Sequence, residues 1–81
     1  MSRWLARDRF LAWLEINGLL CAHSPASDGH HHVRAPSGAL LNGSLNLRRR
    51  EVPPAAIAQI RRKARKAGLL VSNPWLEEGD L

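Results

Sequence analysis

Three consecutive histidines, His30, His31 and His32, are the side chains of this sequence best suited to chemistry. Imidazole has an ordinary pKa of about 6.5, so it can both accept and donate a proton near neutral pH. The run follows Asp28-Gly29 and precedes a turn signal at Pro36-Ser37-Gly38. Because many other titratable side chains are Arg or Lys, we expect the histidines to act beside a phosphate-bearing partner.

A ribonuclease and a simple binding surface are the two interpretations of this run. In the first, one imidazole takes a proton from a ribose 2′-hydroxyl, and Arg or Lys offsets the charge that develops on the phosphate. RNA carries its own nucleophile, so no Ser or Cys is needed, and Asp28 or Glu51 could orient the imidazole. In the second, the histidines are polar residues on an exposed strand or contact phosphates without chemistry.

No metal or other cofactor is expected. A set formed by His30 and His32 with His23 or Cys21 lacks a carboxylate and matches no structural zinc spacing. Cys21 is the only cysteine, which excludes an intrachain disulfide. Its apolar neighbours predict a small core residue with an unreactive thiol.

The net charge of +5 is concentrated in one part of the chain. Eight of the 12 basic residues lie between Arg48 and Lys66, which is typical of a surface that binds nucleic acid. The alternative is a solvated helix face that binds nothing. Together with Arg34 of the histidine segment, the residues predicted to contact RNA are Arg34, Arg48, Arg49, Arg50, Arg61, Arg62, Lys63, Arg65 and Lys66.

A chain of 81 residues with a single cysteine predicts one small domain in a reducing cytoplasm. Arg7, Asp8 and Arg9 interrupt the apolar residues near the start of the sequence. Neither a signal peptide nor a membrane span is therefore expected.

The first of two expected helices covers residues 2–17. Ser2 is a suitable N-cap, and Asn17-Gly18 is a typical stop. Apolar side chains are spread around this helix, so that Trp4 and Leu11 either pack on Trp75 or meet a partner protein.

The second expected helix covers residues 54–67. Proline stands at its first turn and Gly68 follows its end. Ile57, Ile60 and Ala64 form one narrow apolar stripe, with Arg, Lys and Gln opposite. Residues 69–71 either continue the core or form a last edge strand.

Three strands are expected between the helices, at residues 19–22, 30–35 and 39–47, with a bulge at Asn42-Gly43. Side chains alternate along a strand. His31 should therefore share one face with Val33, and His30 should share the other with His32 and Arg34.

This order predicts an α+β fold: a small α-β-β-β-α domain with a three-stranded antiparallel sheet and two helices on one face. Residues 1–72 would form the domain and residues 73–81 a C-terminal tail. The layout is close to that of double-stranded-RNA-binding domains.

Several segments resemble the HicA toxin family, the small mRNA-cleaving partners of type II toxin-antitoxin modules. The sequence FLAWLEING at residues 10–18 is similar to that family's first helix, and DGHHH at residues 28–32 to its Gly-x-His strand. Pro36-Ser37-Gly38 is similar to its hairpin turn, and Glu51 with residues 57–69 to its last helix. Where the family often carries a Pro-x-His element, this chain has Leu45-Asn46-Leu47.

The resemblance implies a metal-independent endoribonuclease, an mRNA interferase whose histidine on the second strand performs the chemistry. Counting from Gly29 assigns that role to His31, whereas counting back from Gly38 assigns it to His30, and we prefer His31. It also implies RNA as a partner and a cognate antitoxin that covers the active surface. The alternative is a non-catalytic basic module that binds nucleic acid or an acidic protein.

Overall fold

The computed structural model describes residues 3–23 and 29–75. Two helices and five strands follow one another in the order β1 (Leu5–Ala6), α1 (Arg7–Ile16), β2 (Leu20–His23), β3 (His30–Arg34), β4 (Leu40–Asn46), β5 (Glu51–Val52) and α2 (Pro54–Lys66). The predicted α+β fold, with two helices and a three-stranded antiparallel sheet, is confirmed, and a second sheet of two strands adds to it. Within the described ranges, no helix has both the length and the apolar composition to cross a bilayer.

The start of the first helix was predicted wrongly. Helix α1 begins at Arg7 instead of Ser2, and its N-cap is Ala6, which makes no side-chain capping bond. The preceding backbone pairs elsewhere, because Leu5 lies opposite Val52 and Ala6 opposite Glu51 in a small antiparallel sheet. Burial of the Leu5 side chain, which is 1% exposed, favours this pairing over another helical turn.

Strands β2, β3 and β4 form the sheet that carries the histidines, in that spatial order. Cys21 lies opposite Val33, and Val33 lies opposite Asn42 on the other side. The register between β3 and β4 shifts twice, so β4 holds extra residues around the predicted bulge at Asn42-Gly43. The turn at Pro36-Ser37-Gly38 is closed by a hydrogen bond from the Gly38 N–H to the Ala35 carbonyl, 2.8 Å long.

Helix α2 packs its apolar stripe on this sheet. Ile57, Ile60 and Ala64 are fully buried, as the spacing predicts. Asn42 Nδ2 donates a hydrogen bond to Gln59 Oε1 at 2.7 Å and so ties the bulge of β4 to the helix. The helix ends at Lys66, and Gly68 follows it with a φ of +83°, while the Leu69 N–H donates to the Ala64 carbonyl at 2.8 Å.

The segment after α2 returns along the domain without forming a strand. Leu69 and Val71 pack against the core, which is the first of the two expected alternatives. The Ser72 carbonyl accepts a hydrogen bond from Trp13 Nε1 at 2.9 Å.

Trp75, inside the predicted tail, is a core residue. It is 6% exposed and donates from its Nε1 to the Arg3 carbonyl at 3.0 Å. Trp4 and Leu11, in contrast, remain 44% and 37% exposed. The rest of the predicted tail, from residue 76 onward, lies outside the described residues.

Candidate functional site

The histidine strand presents two different faces. Val33 and Ala35 are fully buried and Arg34 is exposed, so the face shared by His31 and Val33 is the one turned toward the helices. Strand alternation assigns His30 and His32 to the opposite face with the exposed Arg34, and all three histidines are half-buried. The split of the triplet, with His31 on one face and His30 and His32 on the other, stays a prediction from strand alternation, because all three have the same partial burial.

His31 lies in a row that crosses the whole sheet. Its neighbour on β2 is His23 and its neighbour on β4 is Leu45, which is 2% exposed. The rings of His23 and His31 are perpendicular, with their centroids 5.0 Å apart. The half-buried His31 ring therefore contacts an exposed imidazole on β2, and its strand partner on β4 is a core residue.

The Nδ1 atom of His31 is buried and has no hydrogen-bond partner among the described residues. Buried polar atoms are usually satisfied, so a lone one is of interest as a place where a ligand or water acts. Glu51, one of the two carboxylates expected to orient an imidazole, lies opposite Ala6 in the small sheet. The other, Asp28, falls outside the described residues.

Arg48 brings positive charge to the start of the histidine strand. A Cβ atom placed on Gly29 would lie only 2.8 Å from Cδ and Nε of Arg48, so this arginine side chain lies directly against the glycine backbone. The approach depends on the lack of a side chain at Gly29, whose φ of +81° also favours glycine. Asn46 Oδ1 accepts a bond from the Arg48 N–H at 2.9 Å and holds the loop that follows β4.

Arg7 and Arg50 place two further cations at the loop that follows β4. The Leu47 N–H donates to the Gly29 carbonyl at 3.3 Å, and the Leu47 carbonyl accepts from Arg7 Nη1 at 2.9 Å. The Arg50 carbonyl accepts a hydrogen bond from the Arg7 N–H at 2.8 Å, and the two arginines line a shallow cleft. We call this region the histidine end of the sheet; its defining residues are His23, Gly29, His30, His31, Leu45, Arg48 and Arg7.

Two basic residues of α2, Lys63 and Lys66, are at the other end of the sheet. Lys63 and Lys66 line an open groove with Leu40, and Leu40 lies opposite Arg34 at the turn end of the hairpin. From there to Asn46, which pairs with His30, β4 extends about 15–20 Å at about 3.3 Å per residue. The histidines and the last turns of the basic helix are therefore apart.

The other predicted contact residues fall into three environments. Arg34 Nη1 donates to the Gly38 carbonyl at 2.8 Å and lies on the open face of the sheet. Arg49 and Arg62 are exposed, whereas Arg61 is half-buried. The Arg61 Nε is buried without a hydrogen-bond partner within the described ranges, and this side chain lines a small cavity with Arg65.

Cys21 is exposed on the edge strand β2, which corrects the expectation of a core residue. Neighbouring atoms partly desolvate the thiol and raise its pKa above the ordinary value. As for metals, residues 3–23 and 29–75 contain no group of three His, Cys, Asp or Glu side chains that could hold an ion.

Two residues of the histidine end, His23 and Arg7, were not predicted from the sequence as members of an RNA-cleaving site. His23 joins His31 only because the register of the β2–β3 pairing puts them opposite each other. Arg7 was assigned to the interior of a helix, yet it begins α1 and reaches the loop after β4. Both depend on long-range pairing that local patterns do not encode.

Comparison with protein-family models, with curated proteins and with solved structures gave no match to this chain.

Proposed function

We propose that the chain is a toxin-like endoribonuclease in which His31 is the general base and the arginines of the histidine end bind the phosphate. The observation that carries the proposal is the position of His31, whose ring contacts the exposed ring of His23 with 5.0 Å between centroids. Arg48 lies against Gly29, two residues before it, so a base and a cation are available at one end of the sheet.

The reaction requires only groups of this chain and of RNA. His31 removes the proton from a 2′-hydroxyl, O2′ attacks the adjacent phosphorus, and the bond from phosphorus to O5′ breaks. The products are a 2′,3′-cyclic phosphate and a free 5′-hydroxyl. Arg48 and Arg7 offset the negative charge that grows on the non-bridging oxygens.

His30 remains the alternative base. It lies on the open face of the sheet, opposite Asn46 and next to Gly29, so it is also within the histidine end. His31 is preferred because its ring contacts the ring of His23 and its strand partner on β4 is the buried Leu45, and surroundings that restrict a ring favour proton transfer.

The resemblance to HicA toxins supports an mRNA substrate, a cytoplasmic site of action and an antitoxin as protein partner. Trp4, Leu11 and Ile16 are 44%, 37% and 70% exposed on or beside α1. Exposed apolar side chains of this size suit a protein partner better than they suit water.

Expression in a bacterium tests the proposal. Induction of the unchanged protein should arrest growth and shorten cellular mRNA, whereas His31→Ala should abolish both effects. His32→Ala is the matched control, because His32 belongs to the same strand but is opposite Ala22, away from the His23 pair. Unimpaired growth with intact RNA for the unchanged protein would contradict the proposal.

A non-catalytic binding module is the second candidate. The groove formed by Lys63, Lys66 and Leu40 favours it, because these cations are exposed and far from the histidines. Such a protein would retain nucleic acid without cutting it. Capture of partners from lysate, with and without nuclease treatment, shows whether such a module binds nucleic acid or an acidic protein. A partner that is lost after nuclease treatment is nucleic acid. A partner that survives nuclease but is lost with the Arg62→Gln/Lys63→Gln variant is an acidic protein.

A further inference from the structure

The transfer reaction needs a second proton-carrying group besides the base. When O2′ attacks, the departing O5′ gains negative charge, and a general acid that protonates it removes most of the cost. The acid and the base act on two oxygens of one phosphate, so they must be close together.

We propose that His23 is this general acid, an inference that rests on the endoribonuclease function proposed above. His23 lies directly opposite His31 across the β2–β3 pairing, and the two rings contact each other at 5.0 Å between centroids. Being exposed at the end of its strand, His23 is open to a substrate that approaches from solvent.

The composition of the surroundings supports the assignment. Within residues 3–23 and 29–75, no Asp, Glu or Cys joins the two histidines as a third member of a cluster. Asp8 lines the cleft beside Arg7 and Arg50, and Glu51 belongs to the small sheet. His23 is therefore the proton-carrying side chain in ring contact with the proposed base.

The perpendicular arrangement suits two separate tasks. A ring stacked face to face on His31 would direct its nitrogens parallel to those of the base, whereas an edge contact directs the two sets of nitrogens along different lines. In the reaction, His31 accepts the O2′ proton while protonated His23 gives its proton to O5′. Water then exchanges protons with both rings, so the enzyme returns to its starting state without a net change.

A substrate with a modified leaving group distinguishes an acid from any other role. An RNA dinucleotide in which sulfur replaces O5′ needs no acid, because a thiolate leaves without protonation. With this substrate, His23→Gln should react at nearly the rate of the unchanged protein. With the ordinary dinucleotide, the same variant should be slower by about 10²-fold or more.

His23→Phe is the control for ring contact, since phenylalanine keeps the edge contact with His31 but carries no proton. If His23 is the acid, His23→Phe behaves like His23→Gln with both substrates. If it only orients His31, His23→Phe retains the full rate with ordinary RNA, and the inference is overturned.

The remaining outcomes are also decisive. Equal rates for His23→Gln and the unchanged protein on ordinary RNA overturn the inference but leave the ribonuclease function intact. Failure of the unchanged protein to cleave either substrate contradicts the proposed function itself. Circular dichroism and thermal melting of each variant show whether the fold is retained, which is expected for an exposed position at a strand end.

Discussion

The ring of His31 meets the ring of His23 at a right angle, with 5.0 Å between their centroids, although eight positions separate them in the sequence. The contact exists because β2 and β3 pair with these two residues opposite each other. Cross-strand neighbours of this kind are the main side-chain contacts of an antiparallel sheet. The pair links the hairpin register to the proposed chemistry.

Gly29→Ala should reduce RNA cleavage more than it reduces stability. The new Cβ would lie 2.8 Å from Arg48 Cδ and Nε, so that the arginine must move away from the histidine strand. Gly38→Ala is the matched control, since its φ of +96° imposes a similar backbone strain of about 1–2 kcal/mol with no atom within 4 Å. Chemical denaturation and cleavage rates check both. Equal losses of activity in the two variants would show that the position of Arg48 is unimportant.

The loop arginines should dominate the salt dependence of RNA binding. Changing Arg48, Arg49 and Arg50 together to Gln should reduce the slope of log affinity against log salt by about 2, given about 0.7 per contacted phosphate on a single strand. The control changes three exposed cations of α2, Arg62, Lys63 and Lys66, to Gln. Fluorescence anisotropy with a labelled RNA measures both slopes. A fall confined to the α2 variant would instead favour the non-catalytic module.

Trp75→Ala should destabilise the domain by about 3–5 kcal/mol, the range for truncating a buried aromatic residue. Trp75 is 6% exposed, and the substitution also removes its hydrogen bond to the Arg3 carbonyl. Trp4→Ala, at a position that is 44% exposed, should cost about 1 kcal/mol or less. Urea denaturation gives both values. Similar losses for the two tryptophans would mean that Trp75 does not belong to the core.

Cys21 should react with a thiol reagent in the folded protein, because its side chain is exposed on an edge strand. Desolvation raises the pKa of the thiol, so at a given pH less of it is thiolate than in an unfolded chain. The labelling rate should therefore rise with pH around a midpoint above that of the denatured protein. Labelling that needs denaturant, or a midpoint at or below the denatured value, would contradict this.

Much of the fold follows from local patterns. The proline at the start, the Gly68 that follows the end and the Ile57–Ile60–Ala64 stripe correctly predict α2. These signals work because each depends on residues within a few positions of one another. The turn at Pro36-Ser37-Gly38 is correctly predicted for the same reason.

The rest depends on pairing between distant segments. Leu5 has helix-forming neighbours, but its backbone joins β5 and its side chain enters the core, which outweighs helix propensity. His23 and Arg7 reach the candidate site only through such pairing. Cys21 looks like a core residue because its neighbours are apolar, yet it lies on an exposed edge.

The central claim is that His31 cleaves RNA as a general base without a metal. The most direct measurement is the single-turnover cleavage of a short RNA by the purified protein in excess EDTA, with analysis of the product ends. We predict 2′,3′-cyclic phosphate and 5′-hydroxyl ends for the unchanged protein and for His32→Ala, and a rate at least about 10²-fold lower for His31→Ala. Undiminished cleavage by His31→Ala, or no cleavage by the unchanged protein, would contradict the claim.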